Sequence, residues 1–226
     1  MNFRHICHLE YKASQKPILE YHHKKGSYNY DGKLYPRISD VLNILNRKQL
    51  DSWRERIGNN AADLKSQMGI KRGNDFHQIC EAYLKNECTC QYQNKLLAMS
   101  MFESSKSALD RIDNIRGIEL PVFSTSLKVG GTLDIVAEFD GVNSIIDLKT
   151  SSIPKKYEWC KSFFLQEAFY AVAYEEMTSK PIEQLVTILI SEDGTLQVLK
   201  ENRDDWIFQL NDLVQNYYQI NGVKHG

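Results

Sequence analysis

The stretch Ser144–Ser152, SIIDLKTSS, ends an apolar run in an acid and a lysine two positions apart, Asp147 and Lys149. On an extended strand residues two apart share a face, so this carboxylate and this ammonium look into one cavity while Leu148 points the other way. Upstream, Gly131-Thr132-Leu133-Asp134 supplies a second acid, and a hairpin turned at Asp140-Gly141 brings Asp134 and Asp147 side by side. Two carboxylates converging at a water-accessible sheet end repel each other unless a cation lies between them, and oxygen donors at short range suit Mg2+ or Mn2+. Taken alone, the three residues are as compatible with unrelated surface acids on neighbouring strands.

The tripeptide acid-x-Lys is not diagnostic by itself. It occurs four times in the chain, where ordinary abundance gives roughly two. Asp31-Gly32-Lys33 sits in Tyr28–Tyr35, whose aromatics alternate around Asp-Gly, a strong hairpin signal because a type I′ turn needs positive φ at both central residues. Asp63 and Lys65 fall in a predicted helix, where residues two apart diverge by about 200°. Glu10-Tyr11-Lys12 lies in a stretch without periodicity.

The elements that must position the acids follow from periodicity. Ser39 is placed to N-cap a helix carrying Val41, Leu42, Ile44 and Leu45. Further helices are predicted over Asp51–Lys65, Gly73–Leu84 and Asn94–Ile115. The period then changes to a three-stranded meander over Pro121–Leu127, Gly131–Phe139 and Asn143–Lys149, broken at Gly130-Gly131 and Asp140-Gly141. A helix over Phe163–Met177, strands over Leu185–Ile190 and Thr195–Leu199, and a helix over Asp204–Tyr218 complete an α/β chain with a central mixed sheet flanked by helices.

With 226 residues, 42% hydrophobic and 25% charged, the chain suits one folding unit. No apolar run approaches the roughly 20 residues needed to span a bilayer, so no membrane association is expected. Nothing at the N-terminus has the layout of a secretory leader, and five irregularly spaced cysteines fit a reducing compartment. An intracellular, cytoplasmic location is expected, in a bacterium or a phage-infected host. The net charge of −1 conceals polarity: residues 1–72 hold 14 Lys/Arg against 7 Asp/Glu, and residues 73–226 hold 14 against 22. A basic front supplies phosphate contacts while the acidic remainder holds cations; the simpler alternative is a solvated surface.

Three more clusters accompany the acids. Gln166 and Tyr170 lie one turn apart on a helix face just after the strand of Lys149. His77 follows Gly73 by a helical turn, the glycine permitting close approach of another group, and Glu119 opens the first strand of the meander. Each alone is commonly a packing or surface feature. Together, Gly73-x-x-x-His77, Glu119, Gly131-x-x-Asp134, Asp147-x-Lys149 and Gln166-x-x-x-Tyr170 resemble the ordered motifs of RecB-type nucleases in the PD-(D/E)XK superfamily. Tyr35-Pro36, Ser39-x-Val41-Leu42, Trp53-x-x-Arg56, Arg72-Gly73 and Asp147–Lys155 sharpen the resemblance. They point to the mitochondrial-genome-maintenance type of exonuclease, with its small phage and bacterial relatives, over residues 35–218.

The resemblance implies a PD-(D/E)XK nuclease fold with an N-terminal hairpin and helical subdomain. One domain would then comprise a basic DNA-contacting part over 1–72 and a catalytic core over 73–226. It implies one or two Mg2+ or Mn2+ ions held by His77, Asp134, Asp147 and the main-chain carbonyl of Leu148, with Glu119 on a second ion or supporting the first. Lys149 would orient the attacking water and stabilise the transition state, Gln166 would position Lys149 or that water, and Tyr170 would pack or bind phosphate. Some relatives carry an iron-sulfur cluster on three cysteines beyond the Gln-x-x-x-Tyr helix; here no cysteine follows Cys160, so no cluster is expected and Cys80, Cys88 and Cys90 read as free thiols. Arg37, Arg54, Arg56, Lys71 and Arg72, with Ser39, Tyr35 and Trp53, suit a single strand, cations following phosphates and aromatic faces stacking on bases; the plainer reading packs Trp53 in the core and leaves the arginines solvated. The expected partner is DNA, single-stranded with a free end; a structure-specific or nicking endonuclease and a non-catalytic DNA-binding module are the alternatives.

Overall fold

The computed structural model describes residues 2–6, 18–22 and 25–221. The Glu10-Tyr11-Lys12 tripeptide lies outside them. Strands β1 (Ile18–His22), β2 (Lys25–Tyr30) and β3 (Lys33–Tyr35) form a small antiparallel sheet. The turn joining β2 to β3 has positive φ at both Asp31 and Gly32, as the Asp-Gly signal requires.

Helices α1 (Ile38–Ile57), α2 (Asn59–Leu84) and α3 (Leu96–Leu109) follow, then strands β4 (Ile112–Ser124), β5 (Val129–Phe139) and β6 (Val142–Ser151). Helix α4 (Lys161–Thr178) crosses over to strands β7 (Gln184–Ser191) and β8 (Leu196–Asn202), and helix α5 (Asp204–Ile220) ends the described chain. The five strands form one mixed sheet in the order β4-β5-β6-β7-β8, antiparallel except for the β6–β7 pair. A parallel pair needs a long crossover, and α4 is that crossover.

Helices cover both faces. On β6 and β7, Ile145 and Leu185 pack towards α1, α4 and α5, whereas Ile146, Leu148, Val186, Ile188 and Ile190 pack towards α2 and α3. Two-sided burial explains why these strands read as nearly continuous apolar runs. The alternation also turns the odd positions of β6, Asp147 and Lys149 among them, towards α4.

Several boundaries differ from the sequence reading. The first meander strand, expected over Pro121–Leu127, runs Ile112–Ser124, so Glu119 lies inside it, and Gly130-Gly131 fall within β5 where a break was expected. The predicted helix over Asp51–Lys65 is cut at Gly58, whose φ of 82° ends α1; its second half joins the predicted Gly73–Leu84 helix in one continuous α2. Ser39 lies in the first turn of α1 and does not cap it. Arg37 occupies the N-cap position, its guanidinium bonded to Asp40 at 3.0 and 3.1 Å, and buried Ile38 anchors the turn. Ile112 and Ile115 belong to β4, because α3 stops at Leu109.

Gly130 and Gly131 are needed for close approach. A Cβ on Gly130 would lie 2.3 Å from Cγ of Tyr28, and one on Gly131 would lie 2.7 Å from Cε1 of Tyr170. Tyr28 thereby lies flat on β5 with its hydroxyl 2.8 Å from Thr132 Oγ1. Tyr30 stacks on Phe123 at 4.2 Å, and Tyr35 packs on the same ring at 4.8 Å. The hairpin aromatics thus serve to dock the small sheet on the large one. Gly73 is not constrained in this way, since an added Cβ would meet only Thr150 Oγ1 at 3.7 Å, an ordinary contact.

Cys88 and Cys90, expected as free thiols, are joined in a disulfide in the turn before α3. That turn brings their Cα atoms to 5.4 Å, within disulfide reach. Cys80 and Cys160 are free and buried.

Candidate functional site

The site forms where β4, β5 and β6 part. On the β5–β6 ladder the last pair is Ile135–Ile146, so the next register position sets Asp134 opposite Asp147. There the two strands exchange a side-chain bond: Asp134 Oδ2 accepts the Leu148 N–H at 2.8 Å. On the other side, Glu119 stands opposite Asp134, between the Ile118–Ile135 and Leu120–Leu133 pairs, with a φ of 50°. A non-glycine residue in the left-handed region costs on the order of 1 kcal/mol or more, and like charges directly opposite add to that. Such an arrangement persists where the surroundings over-determine it.

His77 reaches the acids from α2. Its Nε2 lies 2.8 Å from the Leu148 carbonyl oxygen, which leaves Nδ1 facing Asp134 at 3.7 Å and Glu119 at 3.9 Å. One ligand atom each from His77, Glu119 and Asp134 lies within 4.8 Å of the others. Asp147 stands next to this cluster on β6, at the register position opposite Asp134. Its side chain is 1% exposed, Lys149 forms an ion pair with its Oδ2, and Oδ1 has no hydrogen-bond partner among the described residues. A buried carboxylate oxygen left without a donor is costly, and a cation is one remedy. The two carboxylates and the imidazole of the cluster, with the Asp147 carboxylate beside them, form a hard, oxygen-rich surrounding compatible with Mg2+ or Mn2+.

The electrostatics agree with that fit. Burial raises the Asp147 carboxyl, and nearby Asp134 adds to the rise, against the opposing pull of Lys149. Burial alone would lower the Lys149 ammonium, but Asp147 and Asp134 overcome it and leave it raised, so the lysine stays charged. For His77, burial favours the neutral ring, yet Asp134 and Glu119 outweigh it and raise the imidazolium to about 9. The site is an excess of negative charge held together by one ammonium and one proton.

Gln166 and Tyr170 lie on α4, where the Gln166 amide donates to the Tyr170 hydroxyl at 2.7 Å. Burial and the facing acids push the Tyr170 phenol well up. Arg72 sits on α2 against the strand of Lys149, its Nε donating to Thr150 Oγ1 at 3.2 Å, and it is paired with Glu192. The other candidate substrate contacts lie on α1: Ser39 and Arg56 are exposed and Trp53 is half-buried. Among the described residues no hydrogen bond or ion pair ties these three to the acids. Arg37, Arg54 and Lys71 are held by Asp40, Asp63 and Asp75.

One residue escaped the sequence reading. Glu167, next to Gln166, is fully buried, accepts the Thr187 hydroxyl proton through Oε1, and has no partner for Oε2 among the described residues. Burial and the charge of Asp147 push its carboxyl well above the usual range. A signal was present, for position 167 shares a helix face with Phe163, Phe164 and Ala171, where an acid is out of place.

No protein-family model matches the chain. It is 29% identical over 131 residues to mitochondrial genome maintenance exonuclease 1 of Homo sapiens, a match covering 54% of this chain and 38% of that protein. It is 29% identical over 110 residues to the Mus musculus protein of the same name, covering 47% and 32%. The matched stretch is well under half the length of either relative. Among solved structures, that of SSO0001 superposes with a TM-score of 0.39 at 12% identity over 81% of this chain and 75% of its own, too loosely to compare sites. The chain is thus an α/β protein related to a genome-maintenance exonuclease, and it carries an acidic cluster compatible with a divalent ion. No helix among the described residues is long and apolar enough to cross a membrane.

Proposed function

We propose that this chain is a divalent-metal-dependent deoxyribonuclease of the PD-(D/E)XK type that hydrolyses single-stranded DNA from free ends. The observation that carries the reading is the convergence of Asp134, Asp147, Lys149 and His77 at one sheet end, with Glu119 across from Asp134. His77, Glu119, Asp134 and Asp147 would hold the ion, which when bound supplies Lewis acidity towards the phosphate and lowers the pKa of a water. Lys149 then meets the negative charge that grows on the phosphoryl oxygens, and its ammonium is already oriented by Asp147. Gln166, its amide nitrogen taken by Tyr170, keeps its carbonyl oxygen for the ammonium or for the attacking water. The Leu148 carbonyl, accepting from His77, fixes the imidazole with Nδ1 towards the acids. Attack from free ends is supported by the name of the two relatives, exonuclease.

The test is cleavage of end-labelled linear, circular and duplex DNA with Mg2+, with Mn2+ and with chelator. Shortening of the linear strand alone, abolished by chelator, is expected. Equal attack on the circle would assign an endonuclease, and cleavage in chelator would overturn the metal site.

A further inference from the structure

In the front third, Arg4, Arg37, Arg54, Lys71 and Arg72 are engaged in ion pairs, so none of these five is left without a carboxylate partner to meet a strand. Between α1 and the segment that enters α4 lies a cleft of about 670 Å³, within the size range of ligand sites. Asn46 and Gln49 line it from α1, and Lys155, Trp159, Lys161 and Phe163 line it from the other side. Its inner wall is next to the catalytic machinery, because the Phe163 ring lies 5.5 Å from Lys149 Nζ.

The chemistry of this wall differs from that of the paired cations of the front third. Lys155, Lys156 and Lys161 have no carboxylate partner among the described residues, whereas Arg37, Arg54, Lys71 and Arg72 are each paired. Trp159 is 55% exposed, a large aromatic face left open to solvent, and Lys156 Nζ lies 5.6 Å from its ring. The backbone that carries these groups is fixed. Gln197 accepts the Lys155 N–H at 2.9 Å and donates back to the Lys155 carbonyl at 2.9 Å. Glu158 is the one acid on the lining. Unpaired cations around an open indole, with side-chain amides opposite, suit a strand whose phosphates follow the lysines while a base stacks on the ring.

We infer that this cleft is the nucleotide subsite flanking the scissile phosphate: a single-stranded segment runs from Lys149 past Phe163 to stack on Trp159, its phosphates held by Lys155 and Lys161. The inference rests on the nuclease reading and adds to it the path of the strand.

The experiment uses the full chain and a fluorescent dT20 strand. Trp159→Ala, and separately the double change Lys155→Ala with Lys161→Ala, should each raise KM about tenfold, the loss falling chiefly on KM. Trp159→Phe should restore most of the affinity, since a ring of any kind stacks. The double change should also flatten the plot of log affinity against log salt by about 1.4. A dT20 strand carrying one 5-bromodeoxyuridine should crosslink under ultraviolet light to the peptide containing Trp159. Trp159 and Lys161 are exposed and Lys155 is half-buried with no carboxylate partner among the described residues, so near-unchanged melting should accompany the effects. Wild-type cleavage with KM unaltered in every variant and the crosslink mapping elsewhere would overturn the subsite and leave the nuclease reading standing. Strand binding at the cleft without any cleavage by the wild type would retain the subsite and overturn the nuclease reading.

Discussion

The imidazole of His77 on α2 and the main-chain carbonyl of Leu148 on β6 are joined at 2.8 Å through Nε2, so Nδ1 is the ring nitrogen that faces Glu119 and Asp134. The bond sets the tautomer of the neutral ring: Nε2 carries the proton, and Nδ1, once its own proton leaves, offers a lone pair to a cation. It also engages one lone pair of the carbonyl that the family resemblance assigns to the ion. His77→Ala should therefore weaken Mg2+ or Mn2+ binding by about 10- to 100-fold in isothermal titration. His77→Gln should recover part of the loss if a carbonyl oxygen takes the Nδ1 position. Unchanged ion affinity in His77→Ala would remove the imidazole from the ligand set.

The same geometry predicts a pH dependence. With the acids around it, His77 is protonated up to about 9, and an imidazolium cannot ligate a cation. Ion binding must therefore displace a proton, and affinity for Mg2+ should rise with pH from 7 towards 9. Titration in buffers of differing ionisation enthalpy should report close to one proton released per ion at pH 7. The slope should vanish in His77→Gln, and a wild-type affinity independent of pH across that window would contradict the competition.

Lys149 is held in an ion pair by buried Asp147. Lys149→Ala should lower single-turnover cleavage by about a thousandfold or more while ion binding persists. It should also destabilise the fold, because a buried Asp147 left without its ion-pair partner costs roughly 3–5 kcal/mol. An ion held between Asp134 and Asp147 as proposed would offset part of that cost, so the melting deficit should shrink when Mg2+ is added. Near-normal turnover in this variant would exclude the lysine from the reaction.

Much of this site was legible before the fold was known, and the reason lies in the period of the strand. Asp147 and Lys149 share a face because residues two apart must, and Asp140-Gly141 fixes the turn that brings Asp134 to Asp147. Helix lengths were less legible: Gly58 interrupts a run that looks helical throughout, while Gly73 sits in mid-helix without breaking it. Ile112 and Ile115 fit the helical period of α3 but belong to β4, where pairing with β5 decides. The contribution of Glu119 depends on its left-handed φ, a property that no residue pattern encodes. Cys88 and Cys90 are bridged because a local turn closes the distance between them.

Gly131 tests how firmly α4 is seated. A Cβ there would lie 2.7 Å from Tyr170, 3.0 Å from Phe169 and 3.1 Å from Ile38, three rings and branches already packed around β5. Gly131→Ala should cost about 1–3 kcal/mol as the helix shifts to make room. Since Tyr170 holds the Gln166 amide, the shift should also lower turnover, by more than the loss of folded protein explains. Wild-type melting and activity in Gly131→Ala would show that α4 yields without consequence.

Glu167 is a carboxyl buried beside Asp147, and its raised pKa means that the folded state binds a proton the unfolded chain releases near pH 4.3. The stability it contributes is fully present below that pH and is lost as pH rises through the folded value. Glu167→Gln keeps the shape and the acceptor for the Thr187 hydroxyl without an ionisable group. Its melting temperature relative to wild type should therefore climb with pH, from equal or lower at pH 4 to higher at pH 8. Glu167→Ala leaves the Thr187 hydroxyl unpaired beside a cavity and should lose about 2–4 kcal/mol at every pH. A Gln variant whose melting difference from wild type does not change with pH would show that Glu167 ionises alike in both states.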